Sequence, residues 1–264
     1  MKENLAENLF AELSDLPMVE AVALGGSRAS ENYDEKSDYD IYLYCTQNVP
    51  EETRETLLEK YCRYMEIGNH FWEYEDNCTL KNGIDIDILY RNLETFCEEV
   101  ACVVENFEAH NGYTTCMWHN LLQCKIICDK NGRLLQAKKR FTVPYPEQLK
   151  VNIVNNNLDL LYRKMPAYRF QLAKAIARND IVSINHRTSA FMESYFDILF
   201  ALNGKTHFGE KKLITLCRQH LTILPDNFEE NLSQLFQTLF TDSNTALRHL
   251  DNIISELRKI TDYS

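Results

Sequence analysis

Val19-Glu20-Ala21-Val22-Ala23-Leu24-Gly25-Gly26-Ser27-Arg28, followed after nine residues by Asp38-Tyr39-Asp40-Ile41-Tyr42-Leu43-Tyr44, is the stretch that decides the fold. Its first half is a short, apolar, β-branched run that ends in two glycines, which predicts a buried strand opening into a turn. Its second half alternates. Asp38, Asp40, Tyr42 and Tyr44 share one face of a strand, and Tyr39, Ile41 and Leu43 share the other. Carboxylates at i and i+2 on a strand lie about 7 Å apart, and two oxygen-seeking cations about 3.5–4 Å apart fit between them. The apolar opposite face predicts that Asp38 and Asp40 stand on a rigid floor. Two like charges held so close repel unless a cation intervenes. Glycines at a strand end let a ligand approach the backbone and its N–H groups. Ser27 adds a hydroxyl and Arg28 a cationic fork, a set that suits the β- and γ-phosphates of a triphosphate. Taken singly, each element also reads as a tight turn or a solvated strand face.

Further along, Ile84–Tyr90 predicts a second strand of the same kind, with Ile84, Ile86 and Ile88 facing one way and Asp85 and Asp87 the other. Acids on an isoleucine-rich strand need a partner, because an unpaired buried carboxylate is costly. Either acid would complete a three-carboxylate cluster if this strand lies beside the first. Around these strands, leucines and Phe10 at helical spacing predict a helix over 3–15 that stops at Pro17. Pro50-Glu51-Glu52-Thr53 opens another helix. Phe71–Glu75 is expected to be a strand, with turns at Asn77 and at Lys81-Asn82-Gly83. A helix is expected over 93–108 and a strand over Lys125–Cys128, ending in a turn at 129–133.

Pro144 and Pro146 mark a boundary beyond which the β signal disappears. The stretches 149–165, 168–178, 181–202, 211–220, 228–240 and 243–260 all carry helical periodicity. The expected fold class is therefore α+β: residues 1–145 as a mixed β-sheet with flanking helices, and residues 146–264 as a helical bundle.

The bulk numbers narrow the function. The chain has 264 residues, 45% of them hydrophobic, and a net charge of −11. Residues 1–145 hold 26 acids against 14 Lys and Arg, whereas residues 146–264 hold 13 against 14. This acidity argues against a nucleic-acid backbone as ligand. The nine cysteines form no CxxC pair, which speaks against a zinc site and fits small buried residues in a reducing compartment. No GxxxxGK[ST] loop occurs, so the glycine turn is not a Walker A motif. Without an apolar leader or a spanning segment, the expected location is the cytoplasm.

The run Gly25-Gly26-Ser27, then Asp38-Tyr39-Asp40-Ile41, then Ile86-Asp87-Ile88 resembles the signature of the polymerase-β-type nucleotidyltransferase superfamily. It is most similar to the small-molecule branch that includes aminoglycoside and lincosamide nucleotidyltransferases. The resemblance spans residues 19–91. Its ending, Asp87-Ile88-Leu89-Tyr90-Arg91, favours Asp87 over Asp85 as the third acid. A weaker likeness, in Leu199–Asn203 and Gly209-Glu210-Lys211-Lys212, implies a substrate-binding helical domain.

The resemblance implies an enzyme that moves a nucleoside monophosphate from a triphosphate, ATP by analogy, to a hydroxyl of a small molecule such as an antibiotic. Asp38, Asp40 and Asp87 would be the catalytic carboxylates and would hold two Mg²⁺ ions. Gly25, Gly26, Ser27 and Arg28 would bind the triphosphate tail, helped by Lys211 or Lys212. His207, Tyr195, Asn203 and Arg169 are further cleft candidates. Two other readings stand beside this one: a transferase of the toxin–antitoxin kind that modifies a partner protein, and a nucleotide-binding module without turnover.

Overall fold

The computed structural model describes residues 5–29, 37–71 and 73–262. They divide into two compact units, one of residues 1–101 and 120–142, the other of residues 102–119 and 143–264. The sequence predicts a single cut after residue 145. The structure instead assigns residues 102–119 to the second unit, where the Thr114 hydroxyl bonds to Asp197 and the carbonyls of Phe107 and His110 accept from Asn152 and Asn157.

The first unit runs α1 (Leu5–Asp15), β1 (Val19–Leu24), a one-turn α2 (Gly26–Ala29), β2 (Tyr39–Cys45), α3 (Glu51–Leu58), β3 (Cys62–Asn69), β4 (Glu75–Leu80) and β5 (Asp85–Arg91). After β5 the chain continues through α4 (Leu93–Val104), α5 (Cys116–Gln123), β6 (Lys125–Asp129) and α6 (Arg133–Phe141), the last two within the first unit. The strands form one sheet in the order β3-β4-β5-β2-β1-β6. Among the described residues only β2 and β5 pair in parallel, so the sheet is mixed, as expected. A parallel pair needs a crossover, and here α3 and the β3–β4 hairpin supply it.

Alternation sorts the side chains of β2 and β5. Ile41, Leu43, Ile86 and Ile88 are fully buried and pack with Leu9, Phe10 and Leu13 of α1 and Leu57 and Leu58 of α3. Their burial against two helices fixes the register, since a one-residue slip would carry every apolar side chain to the wrong face. The other face changes along its length. Towards the C-terminal ends of the strands, Tyr42 and Tyr44 are buried, and Arg91 lies over the rings of Tyr42, at 4.1 Å, and of Phe96 from α4, at 4.9 Å. Towards the N-terminal ends stand Asp40 and Asp87, half-buried, and Asp85, exposed.

Two readings need correction here. The strand expected at Phe71–Glu75 begins only at Glu75, and Asn77 lies within β4 instead of in a turn. Phe71 is 77% exposed. Strand β3, at the sheet edge, is missed because its Cys-Arg-Tyr-Met-Glu-Ile-Gly-Asn sequence is mostly solvated and carries no clean apolar alternation. The turn Lys81-Asn82-Gly83 is where it was expected, with Gly83 at φ 90° and its N–H donating to Leu80 O at 2.8 Å.

The second unit holds α7 (Glu147–Leu158), which continues into a π-helical turn at Asp159–Arg163, then α8 (Tyr168–Ala177), α9 (Ile181–Leu202), α10 (Leu213–His220), α11 (Phe228–Thr238) and α12 (Ser243–Thr261). Helix α9 is its axis. Phe191, Tyr195, Ile198, Leu199 and Phe200 of α9 are at most 1% exposed and share one core with leucines of α11 and α12. Among the described residues no helix is long and apolar enough to cross a membrane.

Candidate active site

The site is built on the parallel pair β2 and β5. Asp40 of β2 and Asp87 of β5 are direct register partners, so their carboxylates rise side by side from the same face. Asp85 lies two residues earlier on β5 and shares that face.

The glycine turn closes over Asp40. Gly25 N–H donates to Asp40 O at 2.7 Å, which continues the β1–β2 pairing through the first glycine. Gly26 adopts φ +56°, and a Cβ placed there would fall 1.7 Å from Asp40 Oδ2. A Cβ on Gly25 would meet the Tyr42 ring at 2.4 Å. Each glycine is thus required by a particular side chain of β2, and the backbone of the turn lies against the carboxylate. Ser27 and Arg28 follow in α2. Arg28 Nε donates to the carbonyls of Ser37, at 2.7 Å, and Asp38, at 3.0 Å, and its guanidinium stacks 3.9 Å from the Tyr39 ring centroid. Arg28 therefore ties the turn to the entry of β2, in addition to whatever charge it offers a ligand. Asp38, half-buried, immediately precedes β2.

Strand β4 contributes groups that the sequence reading passed over. Asn77 faces Asp87 in register, and Asn77 Nδ2 donates to Asp87 Oδ1 at 2.8 Å. Thr79 Oγ1 donates to Asp85 Oδ1 at the same distance. Glu75, two residues from Asn77, is 8% exposed. Burial raises its pKa above the usual carboxylate value; a hydrogen bond with Asn77 opposes this, and the charges of Asp87 and Glu73 add to it. The signal available in the sequence was the polar run Glu75-Asp76-Asn77, legible only once this stretch is recognised as a strand.

Among the described residues no three His, Cys, Asp or Glu side chains converge into a ready-made metal cage. What the geometry brings together is the register pair Asp40 and Asp87, with Asp38 at the edge of the same strand. Their donors are all carboxylate oxygens, the set that hard cations such as Mg²⁺ prefer. Gly26 itself places no side chain beside Asp40, where a Cβ would meet Oδ2. Both observations suit Mg²⁺.

The expected contributors from the helical half belong to the second unit. Lys211 and Lys212 are exposed there. The other candidates are committed to structure. Tyr195 is 1% exposed in the core. Asn203 binds the chain at 222–223, its Oδ1 accepting the N–H groups of Thr222 and Ile223, each at 2.8 Å. Arg169 pairs with Asp251 through two hydrogen bonds of 2.6 and 2.9 Å.

His207 is fully buried within a polar cluster of that unit. Its backbone N–H donates to Thr115 Oγ1 at 2.8 Å, and its ring Nδ1 accepts the Gly209 N–H at 3.1 Å, so the ring is neutral with its proton on Nε2. Burial lowers its pKa to about 3. Nearby, Asp197 of α9 is also buried. It accepts the Thr114 N–H at 3.1 Å, the Thr114 hydroxyl at 2.6 Å and Asn157 Nδ2 at 3.2 Å. Burial raises its pKa to about 7 against those three hydrogen bonds.

Comparison with known proteins adds the following. A family described as a domain of unknown function, DUF4037, matches residues 113–211, a span that contains Thr114, Asn157, Asp197 and His207. No curated protein matches. Among solved structures, the chain is similar to a nucleotidyltransferase-like protein from Exiguobacterium sibiricum 255-15, at 10% identity and a TM-score of 0.43, over 100% of this chain and 78% of that one. It is also similar to an aminoglycoside 6-adenyltransferase from Bacillus subtilis, at 12% identity and a TM-score of 0.30, over 100% and 97% of the two chains. A third likeness is to a CCA-adding enzyme from Thermotoga maritima complexed with tRNA, at 12% identity and a TM-score of 0.26, over 96% and 81%.

Proposed function

We propose that this chain is a Mg²⁺-dependent nucleotidyltransferase that moves a nucleoside monophosphate from a nucleoside triphosphate, ATP in the first instance, to a hydroxyl of a small molecule. The observation that carries the reading is the register pairing of Asp40 with Asp87 beneath a glycine turn whose backbone lies against Asp40. The acidity of the chain favours a small acceptor over a nucleic acid.

Asp38, Asp40 and Asp87 would hold the Mg²⁺ ions, which when bound supply Lewis-acid polarisation and neutralise charge on the triphosphate. The backbone of Gly25-Gly26-Ser27 orients the β- and γ-phosphates. Asp87 accepts the proton of the acceptor hydroxyl through a carboxylate oxygen. The acceptor oxygen then bonds to the α-phosphorus while the bond from that phosphorus to the bridging oxygen breaks, and pyrophosphate leaves with the electron pair. Placing the acids on paired strands holds them in position without reorganisation.

The test is pyrophosphate release from each nucleoside triphosphate with Mg²⁺, across a panel of aminoglycosides, lincosamides and sugars. The expected result is release that depends on both Mg²⁺ and an acceptor and is lost in Asp40→Asn. Release that survives in Asp40→Asn, or none with any triphosphate, overturns the proposal.

A further inference from the structure

Asp87 is held by a chain of amides that crosses three strands. Asn77 Nδ2 donates to Asp87 Oδ1 at 2.8 Å, and Asn77 Oδ1 accepts from Asn69 Nδ2 at 2.7 Å. Asn69, at the end of β3, also donates to Glu66 Oε2 at 3.2 Å. The sense of the chain follows from chemistry. A carboxylate only accepts, so Asn77 must turn its NH₂ towards Asp87, and its carbonyl is left to face the NH₂ of Asn69. No other protein donor reaches Asp87 among the described residues.

The residue type is informative. A Lys or Arg at position 77 would neutralise Asp87 and compete with a bound cation. An Asp or Glu would repel it. A Leu would leave the carboxylate free to rotate. An amide fixes one oxygen and leaves the negative charge in place. Metal-binding side chains depend in just this way on outer partners that orient them.

We infer that Asn77 is a positioning residue for Asp87. It clamps Oδ1 so that Oδ2 is the oxygen presented to the reacting centre, and Asn69 in turn sets the orientation of the Asn77 amide. The inference rests on the nucleotidyltransferase reading, which makes Asp87 a site carboxylate.

The test measures Mn²⁺ affinity by the loss of the free-ion EPR signal, in the presence of a non-hydrolysable triphosphate, together with the melting temperature of the metal-free protein. Wild type, Asn77→Leu, Asn77→Ser, Asn69→Ala and Asp87→Asn are compared. Asn77→Leu is expected to weaken Mn²⁺ binding by about 10–100-fold. Asn77→Ser, which keeps a donor, recovers part of that loss, and Asn69→Ala weakens binding by a few-fold. A merely structural role would lower the metal-free melting temperature and leave Mn²⁺ affinity unchanged. Should Asn77→Leu fail to fold, Asn69→Ala and Asn77→Ser decide the matter by the same criterion. Wild-type affinity in the Asn77 and Asn69 variants, with Asp87→Asn impaired, overturns the inference and spares the reading. Wild type that binds no Mn²⁺, indistinguishable from Asp87→Asn, takes both down.

Discussion

Asp76 and Asp87 sit on neighbouring strands of one sheet, on opposite faces, and are treated in opposite ways. Asp76 is fully buried and bonded to the guanidinium of Arg54, itself wholly buried. It also accepts the Tyr90 hydroxyl at 2.7 Å and the Gly68 N–H at 2.8 Å. Burial, with the nearby Asp76 charge, holds the Tyr90 phenol well above its usual pKa. Asp87 is half-buried and has one neutral amide as partner. The difference separates two uses of an acid in a sheet. A fixed cation turns a carboxylate into a fastener. A neutral donor leaves its charge for something that arrives later.

The comparison breaks most visibly at Arg54. Arg54→Leu leaves Asp76 buried and unpaired, and a loss of about 3–5 kcal/mol is expected in chemical denaturation. Asp87→Asn should do the reverse, leaving stability within about 0.5 kcal/mol of wild type while lowering pyrophosphate release by about 100-fold or more, the usual loss of a general base. Equal stability losses in the two variants would erase the distinction. Gly26→Ala tests the turn that covers Asp40. Its positive φ and the close approach of Asp40 Oδ2 should cost about 1–3 kcal/mol and weaken triphosphate binding, measured by calorimetry.

Asp197 sharpens the contrast from the second unit, since it is as buried as Asp76 and, like Asp87, has only neutral partners. Its folded pKa of about 7 lies above the ordinary value of 3.8. Over that interval the folded state keeps a proton that the unfolded chain has released, so its contribution to stability falls as pH rises from about 4 to 7. His207 works the other way. Its lowered pKa means that stability is lost as pH falls below 6.5 towards 3. Asp197→Asn should therefore flatten the decline above pH 4 and leave the acid limb, which a urea midpoint measured against pH resolves.

Much of this was legible in the sequence, for local reasons. Strand β1 and helix α9 fall at the bounds that apolar patterning predicts, and Gly25-Gly26 and the alternation of β2 mark where a turn meets a strand. The parts that stayed hidden depend on pairings far apart in the chain. Asn77 read as a turn residue because its role appears only when β4 lies against β5. Arg54 and Asp76 are 22 residues apart, and nothing in the local sequence pairs them. Tyr195 and His207 looked like site residues because an aromatic or imidazole ring is chemically versatile, and burial decides how it is used.

The discontinuous division of the chain bears on how it can be made and cut. During synthesis, Thr114 leaves the ribosome 83 residues before the Asp197 that it binds, so the 105–115 segment has to wait, unanchored, for a helix not yet translated. A gene split at the Pro144–Pro146 boundary would strand the hydroxyl on one fragment and the buried carboxylate on the other. Two polypeptides made that way should stay soluble only when co-expressed, and a single protease nick there should leave the halves associated.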